Sequence, residues 1–294
     1  IMTGLALDCQ IAEFSRFCRD GRLEIEVDGQ TKRIRIERVH LEEDTGKLSH
    51  GGEYSLVDYN RSGIPLMEIV SEPDMRSAAE AYVYLTKLRQ ILRYLGVSSG
   101  DMEKGAMRCE VNVSLRPAGT EALGTKVEIK NLNSFRSVKM ALEYEIWRQT
   151  EVLNKGGTIE QVTMGWDEDH QRTVVQRSKE FAHDYRYFPE PDLPPLEISR
   201  EWVEEIRARL PELPAAKRDR FMTQYGLSAY DARVLATDRA VADYYEACVV
   251  AYPDGKKVAN WVTGELFRFL KETNTTIESV KITPTALAEL LTLI

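Results

Sequence analysis

Cysteine is scarce in this chain. Cys9, Cys18, Cys109 and Cys248 are the only four in 294 residues, and no two form a CxxC pair. That spacing argues against a zinc ribbon within the chain and fits reduced thiols in a cytoplasmic compartment. Long apolar runs are lacking too. None approaches the ~20 residues that span a bilayer, and no signal peptide is visible at the start. The glycines are scattered, with no P-loop, GxGxxG or GxSxG pattern, so a P-loop, Rossmann or hydrolase-elbow reading has no support. No Ser/Lys or Cys/His arrangement points to a nucleophilic amidase. An excess of positive charge is also missing. The net charge is −8, and residues 200–294 hold 13 basic against 14 acidic side chains, so the deficit lies earlier. Nucleic-acid binding would therefore need a local basic patch.

What is present is ordinary globular material, 43% hydrophobic and 29% charged, long enough for two domains. LEIEV (23–27) and TKRIRIER (31–38) flank Asp28-Gly29, which predicts a β-hairpin. Residues 54–72 read as a strand, a turn at 60–65 and a nearly continuous apolar strand. Ser77 and Glu80 have capping-box spacing and open a helix that ends at Gly96. A second helix runs from about Ser134 to Asn154 and stops at Gly156-Gly157, and 159–177 looks like another hairpin. The Pro- and aromatic-rich stretch 183–195 reads as an ordered loop. From Ser199 onward the pattern is helical. The expectation is an α+β domain over 1–199 followed by a small all-α domain over 200–294.

Chemistry concentrates in 107–135. In MRCEVNVSLRP, Met107, Cys109, Val111, Val113 and Leu115 alternate with polar residues over ten positions, the mark of a strand with one buried face. TKVEIK repeats the alternation. Paired through a loop at 117–124, the two would merge their polar faces into a platform carrying Arg108, Glu110, Asn112, Ser114, Arg116, Lys126, Glu128 and Lys130. Arginine interleaved with carboxylate and amide at fixed pitch suits a phosphorylated or carboxylate ligand. Elsewhere Glu42-Glu43-Asp44 closes a strand, and Glu68 sits among Ile64, Leu66, Met67, Ile69 and Val70 in an apolar one, where an unpaired carboxylate costs several kcal/mol. If Glu43, Glu68 and Glu110 converge, each like-charge pair at ~4 Å costs about 4 kcal/mol at an effective dielectric near 20. A divalent cation reverses that sign, and oxygen ligands favour Mg²⁺. His40 is a minor candidate beside them.

The strings HLEEDTGK (40–47), LVDYNRSGIPLMEIVSEPD (56–74), MRCEVNVSLRP (107–117), TKVEIKNLNSFRSV (125–138) and HDYRYFPEPDLPP (183–195) closely resemble the GatB/GatE family, the B subunits of tRNA-dependent amidotransferases. The resemblance runs almost end to end. It implies a catalytic cradle related to the glutamine synthetase fold with an antiparallel sheet, then a helical domain and a tail domain. It implies Mg²⁺- and ATP-dependent phosphorylation of the side-chain carboxylate of Glu or Asp misacylated on tRNA(Gln) or tRNA(Asn). Ammonia channelled from the glutaminase partner of the family then displaces phosphate, and a small third protein makes up the heterotrimer.

Carried over to this sequence, Glu43 and Glu68 fall in the metal-holding motifs, and Glu110 stands where members often carry Asp. Arg108, Asn112, Arg116, Lys126, Glu128 and Lys130 become ATP or substrate contacts, and Tyr185, Arg186 and Tyr187 candidates for the tRNA end. Two departures stand out. A Gly-Leu-Glu-Val-His strand that the family carries at its start is absent, as is the Tyr- and Pro-rich stretch after AEFSRF (12–17). The expectation is that residues precede Ile1, that the tail domain is missing, and that 14–21 joins pieces across a gap. Two rivals remain: a non-catalytic tRNA-binding and channel-forming scaffold, and a free-standing glutamine synthetase-like ligase.

Overall fold

A computed structural model of the chain describes residues 21–44, 46–51, 54–178 and 197–294. The expected join within 14–21 and the loop 183–195 lie outside the described residues.

The chain enters on β1 (Gly21–Val27), which pairs antiparallel with β2 (Gln30–Glu43) in the register Val27↔Gln30. The two residues between them, Asp28 (φ 52°) and Gly29 (φ 75°), both adopt positive φ, as a two-residue hairpin turn of matching twist demands. Ile25 and Ile34 lie on its inner face and are fully buried. Next come β3 (Lys47–Gly51) and β4 (Tyr54–Asp58), which among the described residues pair with each other alone. Then β5 (Pro65–Ser71) returns to the far edge of β2, giving the order β1-β2-β5. The β2–β5 ladder carries an irregularity between Ile36 and Arg38, where one extra residue changes the phase of the strand.

Helix α1 (Ala78–Tyr94) starts where the backbone N–H of Glu80 donates to Ser77 Oγ. Strands β6 (Val111–Val113) and β7 (Val127–Lys130) follow, then α2 (Phe135–Asn154), β8 (Val162–Asp167) and β9 (Arg172–Ser178). The second sheet has the order β6-β7-β8-β9. It is not the purely antiparallel sheet expected, because β7 and β8 run parallel. The 20 residues of α2, about 30 Å long, carry the chain back to the starting edge, a βαβ crossover. Phe135, Val138, Ala141 and Leu142 form the buried stripe of α2 at helical spacing. Burying each large apolar side chain contributes about 1.5–3 kcal/mol.

Beyond residue 198 the chain is helical: α3 (Arg200–Arg209), α4 (Pro214–Gln224), α5 (Ala229–Leu235), α6 (Arg239–Ala251), α7 (Gly255–Trp261), α8 (Phe267–Thr273) and α9 (Pro284–Leu293). Between α7 and α8 the helix continues as a π segment, Val262–Leu266. Phe221, Leu235, Tyr245, Val258, Val262 and Leu291 anchor one core. The described residues thus divide into two compact units. Arg89–Gly100 belongs with Ile198–Ile294, and the strands belong with the other. The mixed α/β character agrees with the sequence. No described helix is long and apolar enough to cross a membrane.

Candidate functional site

Alternation along β2 decides which acidic side chains meet. His40 lies directly opposite Glu68 on β5, and Glu42 lies opposite Leu66. Residues 40, 42 and 68 therefore share one face. His40 Nδ1 is 3.2 Å from Glu68 Oε2, and one ligand atom from each of His40, Glu42 and Glu68 lies within 4.8 Å of the other two. His40 and Glu42 are buried, Glu68 half-buried. Two carboxylates at such separations repel by about 4 kcal/mol at an effective dielectric near 20, so the face favours a cation.

Glu43 is one residue out of phase. It pairs with Pro65 and is exposed on the other side of the strand. The expected convergence of Glu43, Glu68 and Glu110 does not occur. Among the described residues the one group able to hold a metal is His40, Glu42 and Glu68. Asp44, the third acid of the run, is committed elsewhere. Its Oδ2 is 2.9 Å from Arg61 Nη2, and its Oδ1 accepts from the Gly46 N–H, which fastens the turn after β2.

The platform is shorter than the sequence implies, yet its centre is real. The ladder between β6 and β7 spans three pairs, Val111↔Ile129, Asn112↔Glu128 and Val113↔Val127. Lys130 Nζ is 3.2 Å from Glu110 Oε1 and 3.7 Å from Glu128 Oε1. Thr163 Oγ1 on β8 donates to Glu128 Oε2 at 2.8 Å. Asn112, Glu110, Glu128 and Lys130 are thus gathered, while Arg108 and Lys126 are exposed and Arg116 turns its Nη1 to the Glu121 carbonyl oxygen. The strand stops early because the loop closes on it. A Cβ on Gly124 would stand 1.9 Å from the Leu115 carbonyl oxygen, so only glycine permits that approach. Tyr185, Arg186 and Tyr187 lie outside the described residues.

His40, the minor candidate, belongs to the cluster with Glu68, and sequence reasoning missed that Glu42 joins them in place of Glu43. The His40-x-Glu42 spacing was a usable signal, since i and i+2 share a strand face. Glu145, fully buried on α2, had none. Arg148 donates to both its oxygens at 2.6 and 3.0 Å, Gln149 to one at 2.9 Å and Thr173 to the other at 2.9 Å. That is a satisfied structural carboxylate.

A family model described as the GatB/GatE catalytic domain matches residues 1–204. The chain belongs to the GatB/GatE family. A second model, described as a GatB domain, matches 243–294. Among curated relatives, a protein of Carboxydothermus hydrogenoformans is 52% identical over 322 residues, covering 100% of this chain and 67% of its own length. One from Herpetosiphon aurantiacus is 54% identical, covering 99% and 66%, and one from Roseiflexus sp. is 56% identical, covering 92% and 62%. Each is named as the B subunit of an aspartyl/glutamyl-tRNA(Asn/Gln) amidotransferase. The chain thus spans about two thirds of the length of these GatB relatives.

Proposed function

We propose that this GatB-family chain is the carboxylate-activating part of a tRNA-dependent amidotransferase, a carbon–nitrogen ligase working with glutaminase and small partner proteins on misacylated tRNA in a bacterial cytoplasm or an organelle. The observation that carries the reading is the meeting of His40, Glu42 and Glu68 on one sheet face, joined to family membership over 1–204. Two carboxylates and an imidazole suit a divalent cation. Bound there, Mg²⁺ would supply positive charge to the phosphates of ATP.

The chain's own residues have separate tasks. Glu42 and Glu68 hold the cation, and His40 is kept oriented by its contact with Glu68. Lys130, braced between Glu110 and Glu128, offers a fixed ammonium to a phosphate or carboxylate oxygen. Thr163 keeps Glu128 from swinging away. Asn112 lies opposite Glu128 in the same ladder, and Arg108 and Lys126, exposed just before β6 and β7, would add positive charge for substrate oxygens. The domain division follows as activation in 1–199 and support from the helices of 200–294.

Electron paramagnetic resonance of added Mn²⁺ tests the metal assignment. Glu42→Gln and Glu68→Gln should each weaken binding at least tenfold, and Glu43→Gln should leave it unchanged. Equal binding by all three variants refutes the cluster. In the full-length protein assembled with its partners, Glu68→Gln should also abolish ATP-dependent amide formation while assembly persists. Near-normal turnover would favour the scaffold reading.

A further inference from the structure

We propose, resting on the reading that His40, Glu42 and Glu68 hold a divalent cation, that Asp44 and Arg61 are a positioning pair for that site. Neither belongs to the cluster itself. Together they fix the end of β2, which carries Glu42, against the start of β5, which leads to Glu68.

The acids of the cluster stand near one end of their ladder. Past its last pair, Glu43↔Pro65, the Asp44 N–H donates to the Ile64 carbonyl oxygen at 2.9 Å. The Asp44 carbonyl oxygen in turn accepts from the Gly63 N–H at 2.8 Å. Strand ends open most readily, and an opening here would part Glu42 from Glu68. The side chains oppose it. Arg61 sits in the turn between β4 and β5, where its carbonyl oxygen accepts from the Ile64 N–H at 3.1 Å. Its Nη2 reaches back to Asp44 Oδ2 at 2.9 Å, while Asp44 Oδ1 accepts from the Gly46 N–H. One carboxylate thus ties the strand end to the turns on both sides of the β3–β4 hairpin.

Asp44 is 3% exposed, and no described residue donates a hydrogen bond to its Oδ2. The guanidinium is therefore what offsets a charge buried two residues from Glu42. Without Arg61 that carboxylate would turn toward water and take the strand end with it. A third segment meets the same group. A Cβ on Gly105 would stand 3.2 Å from Arg61 Nη1, in the turn 101–106 that precedes β6. Exposed ion pairs contribute little, but this one has a buried acid and joins three stretches of chain. Through-space and positional effects have opposite signs here. Removing a cation from beside the site should by Coulomb's law alone tighten the binding of a metal ion. Losing the fixed placement of Glu42 against Glu68 should weaken it.

Mn²⁺ titration of the full chain, read by electron paramagnetic resonance, tests the pair, with hydrogen–deuterium exchange of the metal-free protein alongside. Arg61→Gln should weaken Mn²⁺ binding about tenfold, at the low end of what groups supporting metal ligands contribute. It should also speed exchange at 42–44 and 66–68 and leave β1 unchanged. Arg61→Lys, which keeps the charge but loses the fork, should recover part of both. Asp44→Asn combined with Arg61→Gln changes no net charge and should bind as weakly as Arg61→Gln alone, since both substitutions break one contact. Arg33→Gln removes the same charge from an exposed pair with Glu24 on the same sheet and should change nothing. Melting curves establish that each variant folds. Unchanged or tighter Mn²⁺ binding by Arg61→Gln, or parent-like binding by the double variant, with Glu68→Gln still defective, overturns the positioning role and leaves the metal reading standing. Unchanged exchange at the strand end overturns the positioning role whatever the affinities. No Mn²⁺ binding by the parent overturns the metal reading and the positioning role together.

Discussion

Two acidic clusters, one in each unit, are held in opposite ways. In the helical unit the acids around α4 and α6 are matched by permanent cations. Lys217, buried on α4, reaches Glu246 at 2.7 Å and Asp243 at 3.2 Å, while Arg220 forks onto Glu212 and reaches Glu246 at 2.6 Å. On the β2–β5 face two carboxylates crowd around a histidine, whose charge depends on protonation. Networks of the first kind hold a fold together, and removing one member leaves charge stranded. Groupings of the second kind gain nothing for the fold and make sense as sites. Carboxylate number alone does not separate them, since Glu145 in the sheet-bearing unit is matched as fully as any acid in the helical one.

That contrast can be broken by substitution. Glu145→Ala should cost the most, about 3–5 kcal/mol by denaturant unfolding, because it strands Arg148, Gln149 and Thr173 and opens a void. Lys217→Met should cost about 2–4 kcal/mol in the same measurement, less because its partners are partly solvated. Ser134→Ala, which removes the acceptor of the Ser137 N–H at the start of α2, should cost about 1 kcal/mol. Glu68→Gln should leave stability unchanged or raise it by up to about 1 kcal/mol, and a large loss there would erase the distinction.

Acid sharpens the comparison least. Hydrogen bonds from the Arg220 side chain hold the Glu212 carboxyl below its ordinary range, and those from Arg35 do the same for Asp74. A lowered folded pKa adds stability that is complete above the unfolded value near 4 and is lost as pH falls through the folded one. Both carboxylates are half-buried and their arginine partners reach solvent, so the pairs are screened and the effect is small. Unfolding midpoints at pH 7 and pH 3 should differ less in Arg35→Gln and Arg220→Gln than in the parent.

Local signals read well. The Asp28-Gly29 turn, the Ser77 and Ser134 starts and the Gly156 stop depend on a few adjacent residues, and the structure has each of them. The site read less well because its phase is set elsewhere. Glu42, Glu43 and Asp44 are equivalent in a list, but the irregularity at Ile36/Arg38 fixes which of them faces Glu68. Alternation from Met107 to Arg116 predicted a ten-residue strand, yet pairing partners end it at Val113, where the loop through Gly124 folds back on Leu115. The parallel β7–β8 pair was illegible for the same reason, since neighbours across a crossover leave no trace in either strand.

The π segment at Val262–Leu266 holds one residue more than an α-helix of the same rise would need. Were that surplus deleted, everything after it would swing by about 100° around the helix axis. Phe267 and Leu270, which now pack against the core shared by Val258 and Val262, would turn toward water. The extra residue is a rotational shim: it lets two helical halves whose apolar stripes are out of step lie against a single core.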